Sequence, residues 1–262
     1  MRTVGCCFTY QCLVQDYPFQ GALRALLDVC DQVIVLDGES TDGTFEELER
    51  VQAEVGSDRL RLHQMQFNHT RRFWYEARVW LLGQVGRRDY VFFLDADEVF
   101  HEDQAHLIRD LIERRAKQLT FNYTHFYGDP GHWMDNPALY PRNTRAWKRS
   151  SGLHWVYFEN GCADGLVTRW GRSGHTTSTD QGLRMYHYGW ARSPKAMGMK
   201  SGRFEAFYAG SEDYRDGELP QPTPFAYNMD DPHIRAFAGS HPKYMKDWID
   251  KHQGQPTSWS PR

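Results

Sequence analysis

Tyr90-Val91-Phe92-Phe93-Leu94-Asp95-Ala96-Asp97-Glu98 runs from five consecutive apolar residues straight into a cluster of three carboxylates. A short, aromatic, uninterrupted apolar run is the pattern of a strand covered on both faces of a mostly parallel sheet. Ligands of such sheets collect beyond the carboxyl ends of the strands, which is where Asp95 and Asp97 emerge. Carboxylates this close concentrate negative charge that is costly without a cation. Their hard oxygens suit magnesium or manganese, ions that bridge the phosphate oxygens of a nucleotide. The same residues also suit an acidic cap on the following helix, because Asp and Glu favour first turns.

On either side of this stretch, apolar runs alternate with helical patterns. Strands are expected at residues 3–8, 32–36 and 60–66, and helices at 19–30, 44–55 and 70–85. Four β-α units with short links predict a doubly wound, mostly parallel α/β sheet. After the acidic cluster a helix is expected at 103–117 and a strand at 119–127. Residues 128–179 are rich in Gly, Pro, Asn, Trp and Arg with little periodicity, and an irregular functional region is expected there. A strand at 184–188 and helices at 194–208 and 242–251 complete the pattern. The chain is expected to divide into halves of one domain at 1–118 and 119–192 and a C-terminal helical extension at 193–262.

The composition bounds the function. At 262 residues, 40% hydrophobic and 25% charged, the chain can bury a substantial core. A net charge of -3 excludes the basic field of a nucleic-acid binder. No apolar stretch is long enough to span a bilayer and no signal-peptide pattern opens the chain, so a cytoplasmic location is expected. Five Cys is an odd number, and Cys6, Cys7, Cys12 and Cys30 lack zinc-knuckle or CxxC spacing, so they read as reduced, mostly buried thiols.

Leu36-Asp37-Gly38-Glu39-Ser40-Thr41-Asp42-Gly43-Thr44 joins the second strand to a helix. Its glycines permit tight turns and close approach of backbone, and Asp37 at the strand tip can accept hydrogen bonds from a base or ribose. Asp42 or Thr44 also suits a helix cap.

With Asp37, the Ser40-Thr41-Asp42-Gly43-Thr44 turn and the Asp95-Ala96-Asp97-Glu98 cluster at this spacing, roughly residues 1–110 resemble family 2 glycosyltransferases of the GT-A fold. The resemblance implies a Rossmann-like nucleotide-binding half, followed by an irregular acceptor-side region and C-terminal helices. It implies transfer of a sugar, with inversion, from a nucleoside diphosphate donor, by default a UDP-sugar, to the hydroxyl of a glycan, lipid-linked or glycoconjugate acceptor, as in polysaccharide biosynthesis. On the donor side it implies Tyr10 and Asp37 at the base, Ser40 and Asp42 around the nucleotide, and Asp95 with Ala96 at the ribose or metal-bound water. Asp97 would be the direct ligand of Mn2+ or Mg2+, with Asp95 assisting. Where the family has Ala-Arg-Asn, this chain has Ala77-Arg78-Val79, which keeps Arg78 as a donor contact and lacks the Asn. His187, in Met185-Tyr186-His187-Tyr188-Gly189-Trp190, fits the late histidine that completes the metal site. Arg192, Lys195 and Lys200 suit either diphosphate neutralisation or a solvated helix face.

Inversion requires a carboxylate that deprotonates the acceptor. By its place in the resemblance that base is Glu159, with Asp164 and Asp135 as competitors. Trp133, Arg142 and Trp155 are expected on the acceptor side, with the two indoles as sugar platforms. Three rivals are weighed against this. A haloacid-dehalogenase-type phosphohydrolase carries Asp-x-Asp on its first strand, whereas here the motif ends the fourth. A sugar nucleotidyltransferase needs Gly, Arg and Lys after the first strand, and residues 6–16 hold none of these. A catalytically silent nucleotide- or glycan-binding module of the same fold remains open. Around Phe237, Tyr244, Met245 and Trp248, the C-terminal stretch suits packing on its own domain, a second subunit or peripheral association with a membrane surface.

Overall fold

The computed structural model describes residues 1–66, 71–149, 152–156, 165–168, 171–172, 181–208 and 221–260. Strands β1 (Thr3–Thr9), β2 (Gln32–Asp37), β3 (Leu60–Gln64) and β4 (Tyr90–Leu94) pair in parallel in the order β4-β1-β2-β3. They are joined by helices α1 (Phe19–Val29), α2 (Thr44–Val55) and α3 (Arg71–Gly83). Side chains of a strand alternate between faces, and here both faces are apolar. Cys7, Val33, Val35, Tyr90, Phe92 and Leu94 meet α1 and α2. Val4, Cys6, Ile34, Leu36, Val91 and Phe93 meet Ala77, Leu81 and Leu82 of α3. Helices on both faces bury all of β4, which is why its sequence is an unbroken apolar run.

The sheet continues past β4 with strands of another kind. β5 (Glu98–Phe100) follows the acidic cluster directly, so Glu98 opens a strand and does not cap a helix. The next helix, α4 (Ala105–Glu113), starts after a single 3₁₀ turn capped by His101, whose ring accepts from the Asp103 amide. β6 (Gln118–Tyr127), β7 (Asp129–Met134) and β8 (Arg142–Lys148) follow. β8 lies antiparallel between β4 and β6. β7 and β8 fall in the stretch expected to be irregular. They lack an apolar alternation because β8 buries polar side chains that answer one another: the Thr144 and Thr120 hydroxyls are 2.7 Å apart, and Arg145 faces carboxylates described below.

β9 (His154–Val156), β10 (Gly165–Thr168) and β11 (Gly171–Arg172) form a separate three-stranded sheet. β12 (Arg184–Trp190) then inserts between β5, antiparallel, and β6, parallel. Phe92 packs against Phe100 and Phe121 at ring separations of 5.6 and 5.7 Å, which locks β4, β5 and β6 into one core.

The C-terminal region is less helical than expected. After α5 (Pro194–Tyr208) come β13 (Phe225–Ala226), β14 (Ile234–Ala236), α6 (Lys246–His252) and β15 (Ser258–Trp259). β14 pairs with β7 at the sheet edge, and β13 pairs with β15. α6 returns to the loop after β1, where His252 Nε2 donates to Asp16 Oδ2 at 2.6 Å and Lys251 donates to Asp16 Oδ1 at 2.8 Å. The stretch thus packs on its own domain. Among the described residues no helix is long and apolar enough to cross a membrane.

Candidate active site

A cavity of about 300 Å3 opens beyond the carboxyl ends of β1 and β4. Of the expected site residues, Tyr10, Arg78, Asp95, Ala96, Asp97 and His187 line it, together with Lys200. Phe8 and Trp74 form an edge-to-face aromatic wall at 4.8 Å.

The turn after β2 stands one layer behind this wall. Asp37 is fully buried; its Oδ1 accepts from Thr9 Oγ1 at 2.8 Å and Ser40 Oγ at 2.7 Å, and its Oδ2 from the Ser40 amide at 2.7 Å. Ser40 Oγ accepts from the Gln11 amide, and Asp42 Oδ2 from the Val14 amide, each at 2.8 Å. Asp42 Oδ1 also holds Thr44, whose hydroxyl accepts from the Cys12 amide. Asp37, Ser40 and Asp42 were expected to touch the donor, yet none is among the lining residues. Their polar atoms brace the loop that presents Tyr10, Cys12, Gln15 and Tyr17. That loop needs bracing because Gln11 and Asp16 take left-handed backbone at φ of 49° and 59°, which costs about 1 kcal/mol each.

The carboxylates after β4 divide into two environments. Asp95 Oδ1 accepts from Arg78 at 3.1 Å and its Oδ2 from Arg145 at 2.8 Å. Arg145 also pairs with buried Glu98, donates from Nε to Tyr123 Oη at 2.7 Å, and Tyr123 donates to Glu98 Oε1 at 2.8 Å. Burial works against the Asp95 charge, but Arg145 and then Arg78 outweigh it and lower the pKa. Burial pushes Glu98 up to about 7 against the pull of Arg145. Asp95 was expected to assist in metal ligation. With each oxygen held by a guanidinium, its remaining lone pairs fit a ribose or a water better than a metal.

Among the described residues, Asp97 faces no guanidinium at hydrogen-bond distance. Its Oδ2 lies 3.6 Å from His187 Nε2, too long for a hydrogen bond. Burial again opposes ionisation, and His187, Lys200 and Arg192 outweigh it, holding the carboxyl well below the usual range. The two are brought together by β12: His187 stands opposite Glu98, and the Tyr188 amide donates to the Asp97 carbonyl at 2.9 Å. Next to them Gly189 packs tightly: a Cβ there would lie 2.5 Å from Asp97 Oδ2 and 2.6 Å from His187 Nε2, too close to be accommodated unless these groups shift. One carboxylate oxygen and one imidazole nitrogen, 3.6 Å apart, are donors that fit a divalent cation such as Mn2+ or Mg2+.

On the far side of His187, its Nδ1 is 2.8 Å from His125 Nδ1, and His125 Nε2 is 2.9 Å from the Tyr140 carbonyl oxygen. Burial, then the neighbouring His187, pushes His125 down to about 4. Lys200 lines the cavity with its Nζ donating to the Gly189 carbonyl at 2.8 Å. Arg192 is fully buried behind the wall, its guanidinium 4.0 Å from the Tyr17 ring centre, and Lys195 is exposed.

A family comparison covers both carboxylate environments. The match, to glycosyl transferase family 2, spans residues 19–165, more than half of the chain. The chain belongs to glycosyl transferase family 2. The family 2 match takes in β2 to β4 and the acidic cluster at the end of β4. No curated protein matches the chain. Among solved structures, S. aureus TarS 1-349 is similar at 13% identity over 81% of this chain and 66% of its own, with a TM-score of 0.42. TarS 1-349 in complex with UDP is similar at 18% identity over 48% of this chain and 36% of its own, with a TM-score of 0.36. Mannose-6-phosphate isomerase from Helicobacter pylori is similar at 8% identity over 61% and 84%, with a TM-score of 0.39. This family 2 chain therefore spans less than two thirds of the length of the TarS structures it resembles.

Glu159 and Asp164, the expected catalytic bases, lie outside the described residues. None of the expected acceptor-side residues is among those lining the cavity. Trp155 is buried, edge-to-face with Phe93 at 5.1 Å and under the Arg78 guanidinium at 5.2 Å, and so supports a cavity residue. Trp133 packs against the main core where β7 pairs with β14. Arg142 opens β8 opposite Asn122. Arg145, Glu98, Tyr123, His125 and Gly189 were not singled out as site residues in the sequence. The sequence signals for them were Glu98 in the acidic cluster and Gly189 two residues after His187.

Proposed function

We propose that this family 2 protein is a metal-dependent, inverting glycosyltransferase that moves a sugar from a nucleoside diphosphate donor to an acceptor hydroxyl. The Asp97–His187 pair lining the cavity is the observation that carries this reading. In it a carboxylate held ionised and an imidazole nitrogen face one space inside a cavity large enough for part of a nucleotide. A divalent cation bound there would neutralise the departing diphosphate. Lys200 adds a positive charge on the same side of the cavity. Asp95, oriented by Arg78 and Arg145, offers its outward lone pairs to the ribose. Tyr10, Phe8 and Trp74 supply aromatic surface for the base. Glu159 takes the acceptor proton, with Asp164 as its alternative; both stand between the acidic cluster and His187 in the chain, within the matched region.

The test is thermal stability against a panel of nucleoside diphosphates and their sugars, starting with UDP and UDP-sugars, with and without Mn2+. The expected result is stabilisation by one nucleotide only when the metal is present, lost in Asp97→Ala. With donor and acceptor identified, turnover should fall about 10³-fold or more in Asp97→Ala and in Glu159→Gln. No shift with any nucleotide in the presence of metal would favour the silent binding module or the phosphohydrolase. If Asp164→Asn and not Glu159→Gln abolishes transfer, the base is reassigned.

A further inference from the structure

We propose that His125 is a positioning residue that fixes the ring tautomer of His187 and so points the lone pair of His187 Nε2 toward Asp97. The proposal rests on the metal reading of Asp97 and His187 and names the device that supports it.

A carbonyl oxygen only accepts hydrogen bonds, so the 2.9 Å contact between His125 Nε2 and the Tyr140 carbonyl places the proton on His125 Nε2. The neutral ring then has an accepting Nδ1. At 2.8 Å from it, His187 Nδ1 must donate. That leaves Nε2 of a neutral His187 without a proton, facing Asp97 Oδ2 at 3.6 Å. A lone pair and an ionised carboxylate repel one another unless a cation stands between them. Metal-ligating histidines generally donate their other nitrogen to a partner that fixes orientation and basicity. Here the partner is a second histidine, itself anchored to backbone.

The geometry is not a loose contact between surface rings. His187 and His125 are directly opposite in the parallel ladder of β12 and β6, and both are buried. The register shifts between His187 and Trp190, just past the pair. Tyr140 closes the cluster, its ring edge-to-face with His125 at 4.7 Å. Were His125 to carry its proton on Nδ1, the chain of donors would reverse and Nε2 of His187 would present a hydrogen to Asp97.

Long-range 1H–15N spectra of the wild-type, metal-free protein near neutral pH read the tautomers directly. The expected result is an Nδ1–H tautomer at His187, assigned by the signal that His187→Gln removes, and an Nε2–H tautomer at His125. Mn2+ affinity, read by electron paramagnetic resonance, gives the second readout. His125→Leu should weaken binding about 10- to 100-fold. His125→Asn, which keeps an acceptor near Nδ1, should recover most of that loss. A proton on Nε2 of wild-type His187, in the Nε2–H tautomer or in a doubly protonated ring paired with Asp97, would overturn the proposal, even if His125→Leu failed to fold. If Asp97→Ala and His187→Ala lose Mn2+ and His125→Leu does not, the metal site stands and the positioning role alone is overturned. If Asp97→Ala and His187→Ala bind Mn2+ like wild type, the metal site itself fails and takes the proposal with it.

Discussion

The two halves of the sheet build the cavity by different means. In the parallel half, β1 to β4, the strands are apolar on both faces, and chemistry is confined to the loops at their carboxyl ends, where Asp37, Ser40 and Asp42 hold Tyr10 and its neighbours in place. In the half built from β5, β6, β8 and β12, polar residues lie within the strands: Glu98, Tyr123, His125, Thr144, Arg145 and His187 are all buried. The first half places side chains by backbone geometry. The second places them by buried hydrogen bonds and ion pairs, each of which fails if one partner is missing.

The strongest challenge to that contrast is Arg145→Met. Glu98 would lose its charged partner and Asp95 one of its two, and the expected cost is roughly 3–5 kcal/mol in urea unfolding. Combining Arg145→Met with Glu98→Gln should recover part of the loss. A single variant as stable as wild type would show that the network is dispensable.

Gly189→Ala is next. The three atoms nearest the added methyl belong to the Asp97 and His187 side chains, and both must shift. Mn2+ binding should weaken about 100-fold, by the same order as loss of a supporting residue, at a stability cost of about 1–3 kcal/mol without metal. Equal Mn2+ affinity would show that the Asp97–His187 pair does not hold the metal.

Ser40→Ala sharpens the other side of the comparison. It removes a donor to Asp37 and the acceptor of the Gln11 amide, at an expected 1–2 kcal/mol. If the turn acts only by bracing the loop, donor KM should rise severalfold with kcat nearly unchanged. A matching loss in kcat would mean that Ser40 acts on the reaction directly.

The smallest effect expected is on pH. Burial pushes His241, which bonds the Tyr188 hydroxyl at 2.9 Å, down to about 4. The unfolded chain takes up that proton near pH 6.5 and the folded protein only near 4. Stability from this group is therefore full above about 6.5 and is lost as pH falls toward 4. The melting temperature should decline through that window, and less steeply in His241→Gln. An unchanged slope would assign the decline to other groups, of which His125, also held near 4, is the first to examine.

Much of the parallel half was legible in the sequence. The apolar runs at 3–8, 32–36 and 90–94 match β1, β2 and β4 to within a residue, and the cluster after the last of them contains the carboxylate that faces His187. Asp37 was legible as a strand-end carboxylate, but its bonds to Thr9 and Ser40 were not, because a residue that bonds a turn and one that bonds a ligand occupy the same place in a strand-end pattern. β8 was not legible at all. Its buried Thr144 and Arg145 read as surface residues until Thr120, Glu98 and Asp95 are seen beside them.

By itself, the sequence determined what depends on neighbours along the chain: a doubly wound parallel core, its crossover helices, and a patch of carboxylates at a strand end. Periodic burial and local charge are written in consecutive residues. Only the tertiary structure decided that β12 enters between β5 and β6, bringing His187 to Asp97, His125 to His187, and Gly189 against both Asp97 and His187. Pairing between distant strands depends on the register of two segments meeting, and a buried polar group is explained only by the partner it meets.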